Sequence, residues 1–267
     1  MTYDNLALAL VQESTYNIED EINNFNKICE SINILNENGI LLEAIDKEKI
    51  LEIIKNILIK IKTALKTIVD KIKEFIGKIK DFLEDKIGSI YAKILNSDNK
   101  LKSDFEYTFA SEKFIEKTED YIGRLSYFVI KFLNSDLAKK VALEVELQSF
   151  FEEITSYTDK IENDKDDISE KTVIRKGASI KEAVDSYKKK ANEQLDKYFK
   201  LSEELGKVET DFEHIKIDSL DDIKDVECIK HIASIIIKIK SLINVLCSSS
   251  YIASSKEIET ITYLINH

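Results

Sequence analysis

Apolar residues recur three and four positions apart along most of this chain, and the longest such run lies between Asp46 and Leu95. There the stripe can be written as heptads, with Ile54, Ile61, Ile68, Phe75 and Phe82 at one core position and Leu58, Leu65, Ile72 and Ile79 at the other. Val69, Ile76 and Leu83 widen it on one side, Ile57 and Ala64 on the other. A stripe that broad exceeds a two-stranded seam and asks for at least two packing partners, or one partner and a lipid surface. Asp46 suits the N-cap. A straight helix over 46–95 reaches roughly 75 Å, and Gly77 and Gly88 are the positions where it is expected to bend or break.

The same periodicity predicts helices on either side. One is expected from about Tyr3 to Leu35, closed by Gly39. After the turn at Asn96 to Asn99, a third helical region is expected through Phe105, Phe109, Phe114, Tyr121, Leu125, Phe128 and Phe132, where phenylalanine is concentrated. Asn134 or Ser135 caps a fourth, running to about Ile161. Capping boxes at Ser179/Glu182, Ser219/Asp222 and Ser254/Glu257 open three more, the last a short one through Ile265. The expectation is an all-α protein: an elongated bundle of about seven helices. Residues 163–178, charged and lacking helical spacing, are expected as a linker, loop or hairpin excursion between an N-terminal bundle (1–162) and a C-terminal helical region (179–267).

Composition strengthens the helical reading. The 267 residues contain no proline and only six glycines, and 43% are hydrophobic, enough for a real core. The net charge is −11, yet Lys49 to Lys80 hold nine lysines against Glu52, Asp70 and Glu74, a local +6 that leaves −17 for the remainder. Such a balance argues against non-specific nucleic-acid binding by the molecule as a whole. Cys29, Cys228 and Cys247 form neither CxxC pairs nor an even set, which predicts reduced thiols. No basic, apolar leader opens the chain, and Lys230, Lys238 and Lys240 interrupt its most apolar stretch, Ile229 to Cys247, so a buried core helix is expected there rather than a membrane span.

Candidate chemistry is sparse. His214, His231 and His267 are the histidines; Cys228 and His231 stand three apart without a second ligand pair. Asp164, Asp166, Asp167 and Glu170 lack the turn glycine and ligand spacing of a calcium loop. No GxSxG, phosphate-cradling glycine loop or HExxH occurs. Neither an enzyme nor a cofactor or metal site is expected. The basic flank of the long helix, Lys55, Lys62, Lys66, Lys73 and Lys80, fits two readings. It suits a helix lying on an anionic membrane, or a core helix whose lysine stems cover its edges. The lack of tryptophan and the acidic complement Glu13, Glu19, Asp20, Glu21 and Glu30 favour the core helix.

Three segments carry a likeness to known proteins: Leu6-Ala7-Leu8-Ala9-Leu10-Val11-Gln12-Glu13, then Glu43-Ala44-Ile45, then the run from Ile68 through Lys73-Glu74-Phe75-Ile76-Gly77-Lys78 to Leu83. Here the first half of the chain resembles the helical virion proteins encoded near the head genes of tailed bacteriophages of Firmicutes. The resemblance implies a non-enzymatic structural component of a phage particle, made in the host cytoplasm, carried in the virion and present in several copies. Its partners would be itself and other virion proteins such as capsid or portal, without specific nucleic acid. The alternative is a membrane-active helical protein, a pore-forming toxin or delivery protein, using residues 51–83.

Overall fold

The structure, a computed structural model, describes residues 47–94, 100–163, 168–214 and 223–266. The helix expected over Tyr3 to Leu35, the acidic run at Asp164 to Asp167 and the Ser219/Asp222 cap lie outside the described residues. Within them the chain is mostly helical. In chain order the elements are α1 (Lys47–Ile94), β1 (Phe105–Ala110), α2 (Glu112–Leu133), α3 (Leu137–Asn163), β2 (Ser169–Ile174), α4 (Ile180–Glu213) and α5 (Ile223–Asn266).

The centre of the molecule is α5, which packs against α1, α2, α3, α4 and β1. From Cys228 to Leu246 none of its residues is exposed: Ile232, Ile235, Ile236 and Ile239 form a buried face, Ile237 lies buried beyond it, and Lys230, Ser234 and Lys238 on the other side are half-buried. The outer helices are amphipathic instead. On α2, Phe114, Ile115, Tyr121, Ile122, Leu125 and Val129 face inward. Elements before and after residues 163–178 contribute to one apolar cluster, from Ile72 and Phe75 of α1 to Ile243 and Ile261 of α5.

Several local expectations are corrected. Phe105 and Phe109 lie in a strand rather than a helix. A spacing of four belongs to both periods, and Tyr107 between them, buried as they are while Glu106 is exposed, completes the alternation of a β-strand. The segment 163–178, expected as a linker or loop, contains β2. It pairs antiparallel with β1, Phe105 opposite Ile174 through Ala110 opposite Ser169. Asn134 and Ser135 do not open α3: they close α2, the Asn134 side-chain amide donating to the Ile130 carbonyl at 2.8 Å and the Ser135 hydroxyl to that of Lys131 at 2.6 Å. The cap of α3 is Asp136, whose carboxylate accepts from Lys139 N–H at 3.1 Å. Ser179 does precede α4, but its hydroxyl makes no capping bond. At Ser254 there is no new start, since α5 runs unbroken to Asn266. Neither Gly77 nor Gly88 interrupts α1.

The two-stranded sheet is pinned at the end where Phe105 pairs with Ile174. Gly177, at φ +91°, turns the chain from β2 toward α4, in the left-handed region where a side chain would be strained. Its N–H donates to the Leu101 carbonyl at 2.9 Å, and Leu101 N–H donates to Ala178 at 2.9 Å. Asp104 accepts from Lys176 N–H and from the Arg175 guanidinium, which together hold its carboxyl below the usual carboxylate range.

Candidate functional site

The predicted apolar face of α1 divides in two. Ile72, Phe75 and Ile79 are buried, together with Val69, Ile76, Ile87, Ile90 and Ile94, and Phe82 packs partly buried at the margin. Their partners are α4 and α5, the chain's own helices. The side chains of Ile54, Leu58, Ile61, Leu65 and Ile68, and of Lys55, lie outside the described residues. Of the basic flank, Lys66 and Lys80 are exposed, whereas Lys62 and Lys73 are half-buried. Burial of the 69–94 face thus matches the core-helix reading of this half. No described helix is long and apolar enough to cross a membrane.

Where α1 meets α4 and α5, four charged residues converge that periodicity alone does not flag. Lys240, fully buried on α5, donates to the Glu209 carboxylate of α4, itself nearly buried. Burial pushes Lys240 down to about 8 and outweighs the pull of Glu209 and Asp70 in the opposite direction. Glu209 is raised by the same desolvation, against the attraction of Lys240 and of Lys73 on α1. Mutual attraction therefore repays only part of the desolvation, as is usual for a buried ion pair. Only Lys240 leaves a trace in the sequence, in helical phase with Ile236 and Ile243 inside the apolar stripe, and nothing there marks its three partners.

A second inward-turned carboxylate lies at the far end of α5. Glu257, buried, accepts from the Thr108 N–H of β1 and so seals the inner edge of the sheet. Its other oxygen meets no partner among the described residues, and desolvation pushes the carboxyl up to about 8. Tyr107 and Phe109 of the same strand pack on Tyr187 of α4, with ring centroids 5.6 and 5.7 Å apart. Ala110 O accepts from the Gln194 side chain at 3.3 Å.

Other candidates resolve into structural roles. Cys228 is buried and its thiol donates to the Lys140 carbonyl at 3.5 Å, while His231 stands 6.3 Å from the Phe151 ring. Among the described residues no group of three or more His, Cys, Asp or Glu is placed to hold a metal. Glu170 is exposed on β2. A shallow surface concavity on α2, lined by Asp120, Gly123, Arg124, Tyr127 and Phe128, collects no set of convergent polar groups.

The outer surface of the α2–α3 hairpin is less ordinary. Nine large apolar side chains are exposed among the described residues, and five of them, Tyr127, Ile130, Leu133, Val141 and Val145, fall near its turn. Tyr127 and Ile130 lie on the side of α2 opposite buried Leu125 and Val129; Val141 and Val145 are one turn apart on α3. The two helices are clamped on each other by Arg124 to Glu153 at 2.8 Å and Lys131 to Glu146 at 2.6 Å. No family, curated protein or solved structure matches the chain.

Proposed function

We propose that this chain is a non-enzymatic assembly protein of a phage particle, capsid-associated or internal, present in several copies and contacting itself and other virion proteins. In this reading the full chain is an elongated bundle of about seven helices, its long amphipathic helix included. The observation that carries the assembly part is the exposure of five large apolar side chains, Tyr127, Ile130, Leu133, Val141 and Val145, on the α2–α3 hairpin near its turn. Exposed apolar side chains gathered in one region are what a protein–protein contact buries. The phage part rests on the resemblance of the first half to helical virion proteins.

The test is association. Sedimentation of the purified chain alone, then mixed with capsid and portal subunits, is expected to show complexes. Replacing Tyr127 and Val145 by serine is expected to weaken them while the helical circular dichroism is kept. A strict monomer at high concentration that binds no virion protein sinks the reading. The membrane-active alternative, which uses residues 51–83, requires the buried residues Val69 to Ile79 among them to leave the core, and a lack of leakage from anionic vesicles removes it.

A further inference from the structure

The two strands of the sheet have unlike surroundings. Four of the six β1 residues, Phe105, Tyr107, Phe109 and Ala110, are buried in the core, whereas from Ser169 to Val173 every β2 residue is exposed. The hydrogen-bonding phase of β2 follows from two bonds of β1. Ser111 N–H donates to the Ile168 carbonyl at 2.8 Å, while Thr108 N–H turns away from β2 to Glu257. In an antiparallel ladder these alternate, so Ile174, Thr172 and Glu170 bond to β1, and the main chains of Ser169, Lys171 and Val173 point outward. Among the described residues no strand pairs with that edge.

Exposed edges are normally blunted by proline, a bulge, or an unpaired lysine. None of these operates here. The chain has no proline, the register runs through six pairs without a bulge, and the one lysine, Lys171, is neutralised by Glu106 on the neighbouring strand. An open edge of this kind recognises an extended backbone.

We propose that the outer edge of β2 pairs with β2 of a second copy of this chain, antiparallel and about a two-fold axis at Thr172, extending the sheet to four strands. The proposal rests on the assembly reading and names one of its contacts. Two-fold pairing presents the same surface twice, so the strand must be compatible with its own reverse. Centred on Thr172, it sets threonine against threonine, Lys171 against Val173 of the other copy, and Glu170 against Ile174, next to the basic Arg175–Lys176 end. Cross-strand threonine pairs and opposite charges are favourable. The neighbouring outward-bonding registers are worse: one opposes Lys171 to Lys171, the other Lys171 to Arg175.

Amide exchange of the full chain at rising concentration tests this directly. The Lys171 and Val173 amides are expected to slow as concentration rises, while the Thr172 amide, already bonded to β1, is slow throughout. Val173→Pro removes only an outward donor and is tolerated at an edge; it is expected to weaken association through this edge about tenfold or more. A peptide of residues 168–175 is expected to compete. Lys171 and Val173 amides that exchange equally fast at every concentration overturn the proposal. If Val173→Pro associates as strongly as the parent, the edge is overturned while the assembly reading stands; if the parent never associates with anything, both fall.

Discussion

Two helices of this protein, α1 and α5, are built from nearly the same materials, isoleucine and lysine, and meet opposite fates. From Val69 to Ile94 of α1 the isoleucines recur along one side, and exposed Asp70, Glu74, Asp81 and Asp85 occupy the other. Along α5 from Cys228 to Leu246 the buried stripe is wider, taking in Ile237, and the side opposite, with Lys230, Ser234 and Lys238, is half-buried rather than exposed. What separates the two is where lysine falls relative to the apolar positions. On α1 the lysines sit at the edges, where a long stem can carry the ammonium to water. On α5 Lys240 falls within the stripe and cannot reach solvent, so the fold supplies Glu209. Composition is thus a poor guide to burial, and phase is a good one.

That comparison can be broken at graded points. The largest effect is expected from Glu209→Ala, which strands the Lys240 ammonium in the core and should lower stability in urea by about 3–5 kcal/mol, whereas Lys240→Met combined with Glu209→Leu should recover most of it. If Glu209→Ala is neutral, the pair does not hold α5 to α4. Next come matched truncations in the two helices. Ile239→Ala in α5 should approach about 5 kcal/mol, because packing on every side prevents collapse, and Ile79→Ala in α1 should lie nearer about 2 kcal/mol. Equal losses would erase the distinction between a surrounded and a one-sided helix.

A pH-dependent effect, smaller within any one pH unit, is expected from Glu257. Its folded pKa, about 8, lies above the ordinary 4.5, so its contribution is fully present below pH 4.5 and is lost as pH rises to about 8. Thermal melts of Glu257→Gln should therefore fall less steeply than the parent across that window, the difference approaching about 1.4 kcal/mol per pH unit at most. Lys240, lowered to about 8, acts in the opposite direction and only above that pH. Identical pH profiles for the two proteins would remove Glu257 from the account.

The smallest effects belong to the outer side of α1. Gly77 and Gly88 are exposed within an unbroken helix, with open space where a Cβ would go, so Gly77→Ala should raise stability by about 0.5–1 kcal/mol. Lys66→Ala, on an exposed position, should change it by less than about 0.5 kcal/mol. A large loss at Lys66 would place that lysine in a contact like that of Lys240.

Much of the helical character was legible from the absence of proline and from three-four spacing, because both act locally. The small sheet was not. Phe105 and Phe109 fit either period, and the exposed β2 shows only Val173 and Ile174 as apolar signal. Asn134 and Ser135 carry cap chemistry that serves a helix end as readily as a start. Ser254 and Glu257 match a capping box, yet α5 passes through them, since Glu257 bonds to a strand far away in the sequence. The charged convergence of Lys240, Glu209, Asp70 and Lys73 draws on three separate helices, and no local pattern announces it. The outer apolar group on α2 and α3 was hidden because exposure depends on which face the neighbours leave uncovered.

One bond has a consequence for biosynthesis. Thr108 and Glu257 are separated by 149 positions. At ribosomal rates of roughly 5–20 residues per second, that interval lasts on the order of 7–30 s. Throughout it, β1 has been translated while the carboxylate that seals its inner edge has not, so the nascent chain must hold a strand-forming, aromatic segment out of wrong pairings until α5 emerges.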